Sequence, residues 1–406
     1  MPAAAKVLID GPSELIFDYA LPEEVTALPG CRVRVPLRNR SATGTILSIA
    51  GDRTADFELK PITSLIDPEP LITEKLIQLA QWMTTYYGTP LEQIMRSLLP
   101  GAVRQETHSA KTHQVAELVQ MPDEDALSKL SRRAPRQYAI LQLLEGAGPI
   151  AISELGGASV RTSVKSLREA GFVIVRNKEV RRDPDAGDEF LESQPHKLNE
   201  GQRAAYKTIC HAIDSSLDHS ADDPGQSSFP KPILLHGVTG SGKTEVYFEA
   251  IGSALKLGRQ TLILVPEIAL TEDWVRRFEA RFGVRPWTWH SEISAGRRRE
   301  NWRRARSSRP GVFVGTRSAL FLPFRNLGLI VVDEEHDPSY KQEDGVFYNA
   351  RDVAIMRGRF ASCPVILVSA TPSLETHHNV NLGRYGKLVL AERFGGSTLP
   401  IIETVD

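Results

Sequence analysis

"LLHGVTGSGKTEVY", residues 234–247, is an apolar run that stops at a glycine-rich turn, after which a Lys-Thr pair opens a segment with helical spacing of apolar residues. The turn fits G-x-x-x-x-G-K-[ST] through Gly237, Thr239, Gly240, Ser241, Gly242, Lys243 and Thr244. Its glycines let backbone N–H groups converge on phosphate oxygens, and the following helix adds the positive end of its dipole. Lys243 reaches the β- and γ-phosphates, and the Thr244 hydroxyl ligates Mg²⁺. Such a loop requires a strand before it and a helix after it. Ile233–Leu235 supplies the strand, and "TEVYFEAIGSALKLG" supplies the helix.

Downstream the same alternation repeats. "PILLHG", "QTLILVP", "GVFVG", "LGLIVVD" and "PVILVSA" read as strands, several of them near-continuous Val/Ile/Leu runs, as strands buried on both faces are. Strands alternating with helices imply a mainly parallel sheet. Each strand runs into a polar motif, so the motifs line the carboxyl edge, where open α/β sheets bind ligands. One of them, "IVVDEEH", ends at Asp333, Glu334, Glu335 and His336. Asp333 at a strand end is the expected Mg²⁺ partner of a phosphate loop, and Glu334 is placed to take a proton from an attacking water.

Upstream, "CRVRVPL" alternates, with Val33 and Val35 on one face and Arg32 and Arg34 on the other. "ATGTILSIA" and "KPITSLID" are further short strands, and "TEKLIQLAQWMTTYYG" is an amphipathic helix, giving a small β domain over 1–105. Residues 106–130 read as a polar linker. From Pro135, "PRQYAILQLLEGAG" is a helix with a glycine stop. "ISELGGASVRTSVKSLREAG" is a short helix, a turn and a second helix, and "FVIVRNKEVRR" is a strand entering a basic hairpin. This order predicts a winged helix within 106–190. Residues 183–197 and 215–231 are loops, and Asn199 caps the helix of "LNEGQRAAYKTICHAI". The third region is 191–406.

The formal net charge of -1 names no partner for the whole chain, but "GRRRENWRRARSSR", residues 296–309, concentrates positive charge. Cys31, Cys210 and Cys363 form no C-x-x-C pair, which gives neither a zinc ribbon nor a disulfide framework and suits a reducing cytoplasm. No apolar run approaches the ~18 residues of a membrane span.

The motif set extends to "VPEIALT" (265–271), "GTRSALF" (315–321) and "SATPSLE" (369–375). With Gln202 upstream, it resembles the superfamily 2 helicases in order and content. By that resemblance Gln202 reads adenine, "SAT" links nucleotide state to DNA contacts, and Thr316 and Arg317 lie on the DNA track. More narrowly, "GTRSALFLPFRNLGLIVVDEEHDPSYKQEDGVFYNARDVA" is similar to the primosomal protein N′ (PriA) family of replication-restart helicases. The stretch after "DEEH" resembles that family's aromatic-rich loop, with Tyr340, Lys341, Phe347, Tyr348 and Arg351. Aromatics interleaved with cations suit single-stranded DNA, where stacking contributes ~1–3 kcal/mol per base. "IFDYALPE" and "GCRVRVPL" resemble the family's 3′-end-capturing domain, with Phe17 to stack on a terminal base, Asp18 to accept from the 3′-hydroxyl and Lys60 to approach a phosphate. "PLRNRSATG" departs from the family's usual glycine-lysine turn.

The resemblance implies a P-loop, RecA-like helicase lobe with a mainly parallel sheet, preceded by a small β-barrel-like DNA-binding domain and a winged helix. It implies ATP and Mg²⁺ as cofactors and 3′-to-5′ unwinding at stalled forks. The partners it implies are forked and single-stranded DNA, a single-stranded-DNA-binding protein and other primosome proteins, around a cytoplasmic monomer with no membrane contact. Family members continue with a cysteine-rich Zn²⁺ module and a second helicase lobe. A chain without these is expected to bind ATP but to turn it over negligibly. The alternative is a fork-DNA-binding module with a nucleotide site and no motor. A P-loop transporter or signalling ATPase is disfavoured, because neither a membrane-coupling segment nor a transporter signature is present.

Overall fold

The computed structural model describes residues 3–11, 13–22, 25–50, 59–104, 112–156, 159–179, 197–216, 229–266 and 272–393. The chain forms two compact units, Met1–Glu106 with Asp183–Asp406, and Thr107–Arg182. The basic hairpin expected after the strand at Val173, most of both predicted loops, and residues 267–271 of "VPEIALT" lie outside the described residues.

The first unit begins with β1 (Ala4–Ile9), β2 (Ile16–Ala20), β3 (Arg32–Leu37), β4 (Arg40–Ala50) and β5 (Ser64–Leu65), paired antiparallel in the order β2-β1-β4-β3-β5. The alternation in β3 is seen directly: Val33 and Val35 are buried with Val7, Ile9 and Ile46. Arg32, expected to face solvent, is buried instead. Two hydrogen bonds to the Asp67 carboxylate, at 2.7 and 3.0 Å, offset the cost of taking its charge from water. Three helices follow, α1 (Glu74–Tyr87), α2 (Leu91–Leu98) and α3 (Gly101–Arg104). Thr73 caps α1 through its side chain, and Gly88 ends it in the left-handed conformation that favours glycine (φ 66°).

The second unit holds β6 (Thr112–Leu118), α4 (Glu124–Arg133), α5 (Pro135–Ala147), β7 (Ile150–Ala151), α6 (Val160–Glu169) and β8 (Val173–Glu179). Strand, two helices, strand, turn, helix and strand include the winged-helix order, with two corrections. Residues 106–130 are not a plain linker: Thr112–Leu118 is the middle strand of a three-stranded sheet, β7-β6-β8, and Asp123 caps α4. The short helix predicted at "ISELGG" is a turn over residues 152–155, and Gly156 beyond it has φ 65°. Ile140, Leu141, Leu144, Val164 and Leu167 form this unit's core.

The first unit resumes with α7 (Glu200–Ser215), opened by a capping box in which Asn199 and Gln202 bond each other's backbone N–H. There follow β9 (Ile233–Gly237), α8 (Lys243–Lys256), β10 (Gln260–Leu264), α9 (Glu272–Phe282), β11 (Trp287–Trp289), α10 (Ala295–Arg306), β12 (Gly311–Gly315) and β13 (Leu327–Val332). The last elements are β14 (Lys341–Gln342), β15 (Tyr348–Asn349), α11 (Ala350–Ala361), β16 (Val365–Ser369), α12 (Leu374–Asn381) and β17 (Gly386–Leu390). Seven strands pair in parallel in the order β11-β12-β10-β13-β16-β9-β17. The five strands read from sequence are the inner five, buried almost throughout and mostly Val, Ile and Leu, with Gln260, Thr261 and Ser369 the buried polar exceptions. The two edge strands, β11 and β17, escaped that reading.

One core spans the N-terminal helices and this sheet. Leu76, Leu79, Ala80 and Met83 of α1 are buried in the same cluster as Val353 and Ala354 of α11 and Phe313 of β12. The backbone N–H of Asn349 donates to the Tyr87 hydroxyl at 3.2 Å, and Lys75 donates to the Ala361 carbonyl at 3.5 Å.

Candidate nucleotide-binding site and nucleic-acid interface

The parallel register brings the ends of β9, β10, β12, β13 and β16 to one edge, and each carries a polar motif. Gly237 closes β9 where a Cβ would meet Ser241 Oγ at 2.5 Å, so the turn needs glycine there. Gly240 and Gly242 both have φ 80°. Gly242 opens the fourteen-residue helix α8 with no side-chain cap. The first-turn amides of α8 therefore lack the satisfaction a capping side chain gives, and a phosphate is the group that supplies it. Thr239 and Gly240 lie exposed at the loop's tip, and Ser241 is buried.

Lys243 is half-buried and turned onto its own loop, donating to the carbonyls of Gly237 (2.8 Å) and Val238 (3.4 Å). Burial lowers its pKa, while Glu334 and Asp333 oppose that shift.

Asp333 follows β13. Burial pushes its carboxyl up to about 6, against the Tyr247 hydrogen bond that favours the charged form. The Tyr247 hydroxyl donates to Asp333 Oδ2 at 2.9 Å, and Trp274 Nε1 donates to that hydroxyl at 3.0 Å. Asp333 Oδ1 accepts from the Glu334 N–H at 3.1 Å. Glu334 adopts a left-handed backbone (φ 46°), a strain of about 1–3 kcal/mol for a residue other than glycine. Among the described residues no cluster of three His, Cys, Asp or Glu side chains could cage a metal. A Mg²⁺ held by the Thr244 hydroxyl, the Asp333 carboxylate and phosphate oxygens needs none. Such an ion would supply positive charge to the phosphate oxygens there, and Thr244 and Asp333 are the side chains that would hold it.

Gln202 differs from its expected adenine-reading posture. Its side chain is buried and engaged at both ends, Oε1 accepting from Asn199 N (3.0 Å) and Nε2 donating to Ser241 O (2.9 Å). In this structure it braces the phosphate loop from α7.

The aromatic-rich segment splits in two. Tyr340 and Tyr348 are buried, which corrects their reading as bases' stacking partners. The Tyr340 hydroxyl lies 2.6 Å from the Asp333 carbonyl and 3.0 Å from that of Leu264, so it clamps β13 to β10. Tyr348 meets Phe321 edge-on, with ring centroids 5.5 Å apart. Arg351 is likewise no surface cation: it is buried against Glu335, Asp352 and Ser373. Lys341 and Phe347 remain on the surface, Phe347 57% exposed, on the hairpin β14–β15. Arg317 donates to the Lys341 carbonyl at 2.8 Å, tying the "GTRSALF" motif to that hairpin. Thr316 is buried, with its backbone N–H on the Trp289 carbonyl.

Glu335 and His336 join motifs. Glu335 accepts from Ser373 N, Ser373 Oγ and Thr376 Oγ1 at 2.8–3.0 Å, and the His336 ring lies 2.9 Å from Ser369 Oγ. Sequence reading passed over Tyr247 and Trp274 and gave Glu335 no role of its own. A tyrosine one helical turn past Thr244 on the loop's own helix is the one signal that pointed to the first.

In the N-terminal sheet, Phe17 and Asp18 sit on the edge strand β2, and Phe17 is 43% exposed. Lys60 is exposed along the same edge, its carbonyl accepting from Ala20 N at 3.0 Å. The departing turn is the two-residue connection from β3 to β4, with Arg38 at φ 52°. Residues 6–100 match the family described as the PriA 3′ DNA-binding domain, and residues 223–380 match the DEAD/DEAH box helicases. Along nearly its whole length the chain is similar to curated proteins named replication restart protein PriA. The one from Bacillus subtilis (strain 168) is 32% identical over 99% of this chain and 57% of its own. That from Chlamydia pneumoniae is 37% identical over 94% and 50%, and that from Haemophilus influenzae 34% over 97% and 52%. The two domain matches and these relatives point to one family, that of replication restart protein PriA. The chain spans about half the length of these PriA relatives. None of the described helices is long and apolar enough to cross a membrane.

Proposed function

We propose that the chain is the DNA-end-binding and ATP-binding part of a 3′-to-5′ DNA helicase that recognises stalled or abandoned replication forks and starts replication restart. The observation that carries this is the shared core of α1 and α11, which welds a domain matched to 3′ DNA-end binding onto a phosphate-loop lobe. In this reading Gly237–Thr244 hold the ATP phosphates, Lys243 leaves its loop carbonyls for the γ-phosphate, and Thr244 and Asp333 hold Mg²⁺. Glu334 takes the proton of the attacking water. Phe17, Asp18 and Lys60 receive the 3′ end, and Thr316, Arg317, Lys341 and Phe347 follow the strand. Partners are forked and single-stranded DNA and, through the family, a single-stranded-DNA-binding protein and other primosome proteins.

The test is Lys243→Ala, with a fluorescent ATP analogue and a labelled fork measured side by side. Analogue binding in Mg²⁺ should be lost, and fork binding should stay within about twofold of wild type, because phosphate contacts to nucleotide and DNA come from different elements. Equal loss of both affinities would show that the two sites are not separate.

A further inference from the structure

Residues 297–309 carry seven arginines and one glutamate, a formal charge of +6 inside a chain whose total is -1. Like charges this dense on one helix work against it, so the segregation requires an explanation. Helix α10 turns Gly296, Glu300, Asn301, Trp302 and Ala305 inward and leaves Arg297, Arg298, Arg299, Arg303, Arg304 and Arg306 half-exposed. Arg299, Arg303 and Arg306 follow one another at i, i+4 and i+7, so they form a ridge with rises of about 6 and 4.5 Å.

Several of these guanidinium groups are already held in place. Arg298 lies over the Trp289 ring at 5.3 Å and donates to the His290 and Ser291 carbonyls at 3.1 Å. Arg304 lies 6.0 Å from the Trp287 ring centre and donates to the Pro310 carbonyl at 2.8 Å. A pre-ordered guanidinium loses less side-chain entropy when it meets an anion. Arg306 donates to the Pro70 carbonyl at 3.4 Å, and Arg325 adds a further arginine beside the N-terminal domain; the one carboxylate of Glu69, 3.1 Å from Arg325 and 3.9 Å from Arg306, leaves this pair a net positive charge.

The chemistry of this face suits phosphates and not bases. Its three tryptophans, Trp287, Trp289 and Trp302, are buried beneath the arginines at 5%, 1% and 2% exposure. Binders of single strands need open rings for stacking. A row of cations beside closed rings, which only Arg298 and Arg304 overlie, contacts backbone without reading sequence. We propose that α10, with Arg325, docks the phosphodiester backbone of double-stranded DNA, the duplex arm adjoining the end held at β2. This rests on the fork-binding reading above.

The experiment is fluorescence anisotropy across a salt series with three probes: a dumbbell duplex closed by hairpin loops, which has no 3′ end; an oligo-dT strand; and a fork with a free 3′-hydroxyl. The double variant Arg299→Ala/Arg303→Ala should bind the dumbbell about tenfold more weakly, with the salt slope lower by about two. Oligo-dT binding should stay within about twofold. Arg299→Lys/Arg303→Lys keeps the charge and should retain most dumbbell affinity, which separates loss of contact from loss of fold. Undiminished dumbbell binding by the alanine variant, while wild type binds all three probes, overturns this inference alone. An equal drop for oligo-dT overturns the assignment to duplex. A wild-type chain that binds neither fork nor dumbbell overturns the fork-binding reading itself.

Discussion

Tyr247 governs the acidic end of the nucleotide site through one hydrogen bond. Its hydroxyl is steered from behind by the Trp274 indole and points at Asp333 Oδ2. Tyr247→Phe keeps the packing and removes the donor, so the carboxylate loses its fixed orientation. Supporting hydrogen bonds of this kind are worth about tenfold or more in metal affinity. The variant should therefore need about tenfold more Mg²⁺ for half-maximal binding of an ATP analogue, measured by titration at fixed nucleotide; an unchanged Mg²⁺ midpoint removes Tyr247 from this role. Asp333 itself makes a second prediction. Its carboxyl sits at about 6 in the folded chain against the usual 3.8. The folded state thus binds the extra proton between those values, and stability falls as pH rises through that window. The penalty sets in above about 4 and is complete above about 6. Asp333→Asn should raise the melting temperature of the nucleotide-free chain at pH 7.5, with a smaller gain at pH 5. Equal gains at both would mean that the carboxyl is not the cause.

At the scale of elements, Glu335 fastens three of them. It lies at the end of β13 and receives donors from the start of α12 and from Arg351 at the start of α11. Removing it takes one carboxylate from the buried Arg351 guanidinium, which keeps Asp352 at 3.1 Å, and leaves Ser373 and Thr376 without their acceptor. Glu335→Ala should cost about 3 kcal/mol in urea unfolding, whereas breaking the fully exposed Lys341–Glu343 pair should leave the unfolding midpoint unchanged. A loss below about 1 kcal/mol for Glu335→Ala would remove it as a fastener. The sequence made some of these elements plain and hid others for definable reasons. The phosphate loop, Asp333 and the five inner strands announced themselves because each depends on adjacent residues. Tyr340 and Phe347 are both aromatics among polar neighbours, and only the short helix at Pro338–Tyr340 and the hairpin after it turn one inward and one out. β6 was hidden because "THQVAEL" is mostly polar, and its strand conformation comes from backbone pairing on both sides. The burial of α1 beside α11 joins residues more than 260 positions apart, which no local pattern encodes.

At the scale of the whole molecule, the second unit interrupts the first, and its own two ends lie together: Thr112 pairs with Glu179 across the β6–β8 ladder, and Leu118 with Val173. For the first unit, everything between those points is a loop to be closed before its two halves can meet. Once β6 and β8 have paired, the ends of that stretch are already side by side, so the effective loop is far shorter. Each halving of loop length saves about 0.6 kcal/mol of closure entropy. On loop-closure grounds the interrupting unit is an entropic aid to assembly of the unit around it, and it should fold first. Its removal as an aid is measurable, since all five tryptophans, Trp82, Trp274, Trp287, Trp289 and Trp302, belong to the first unit and report on it alone. Leu141→Ala, which empties the second unit's core at a cost of about 2–5 kcal/mol, should slow tryptophan-detected refolding by about two- to threefold per halving forgone, although every tryptophan belongs to the other unit. An unchanged refolding rate would mean that the two halves of the first unit find each other without that help.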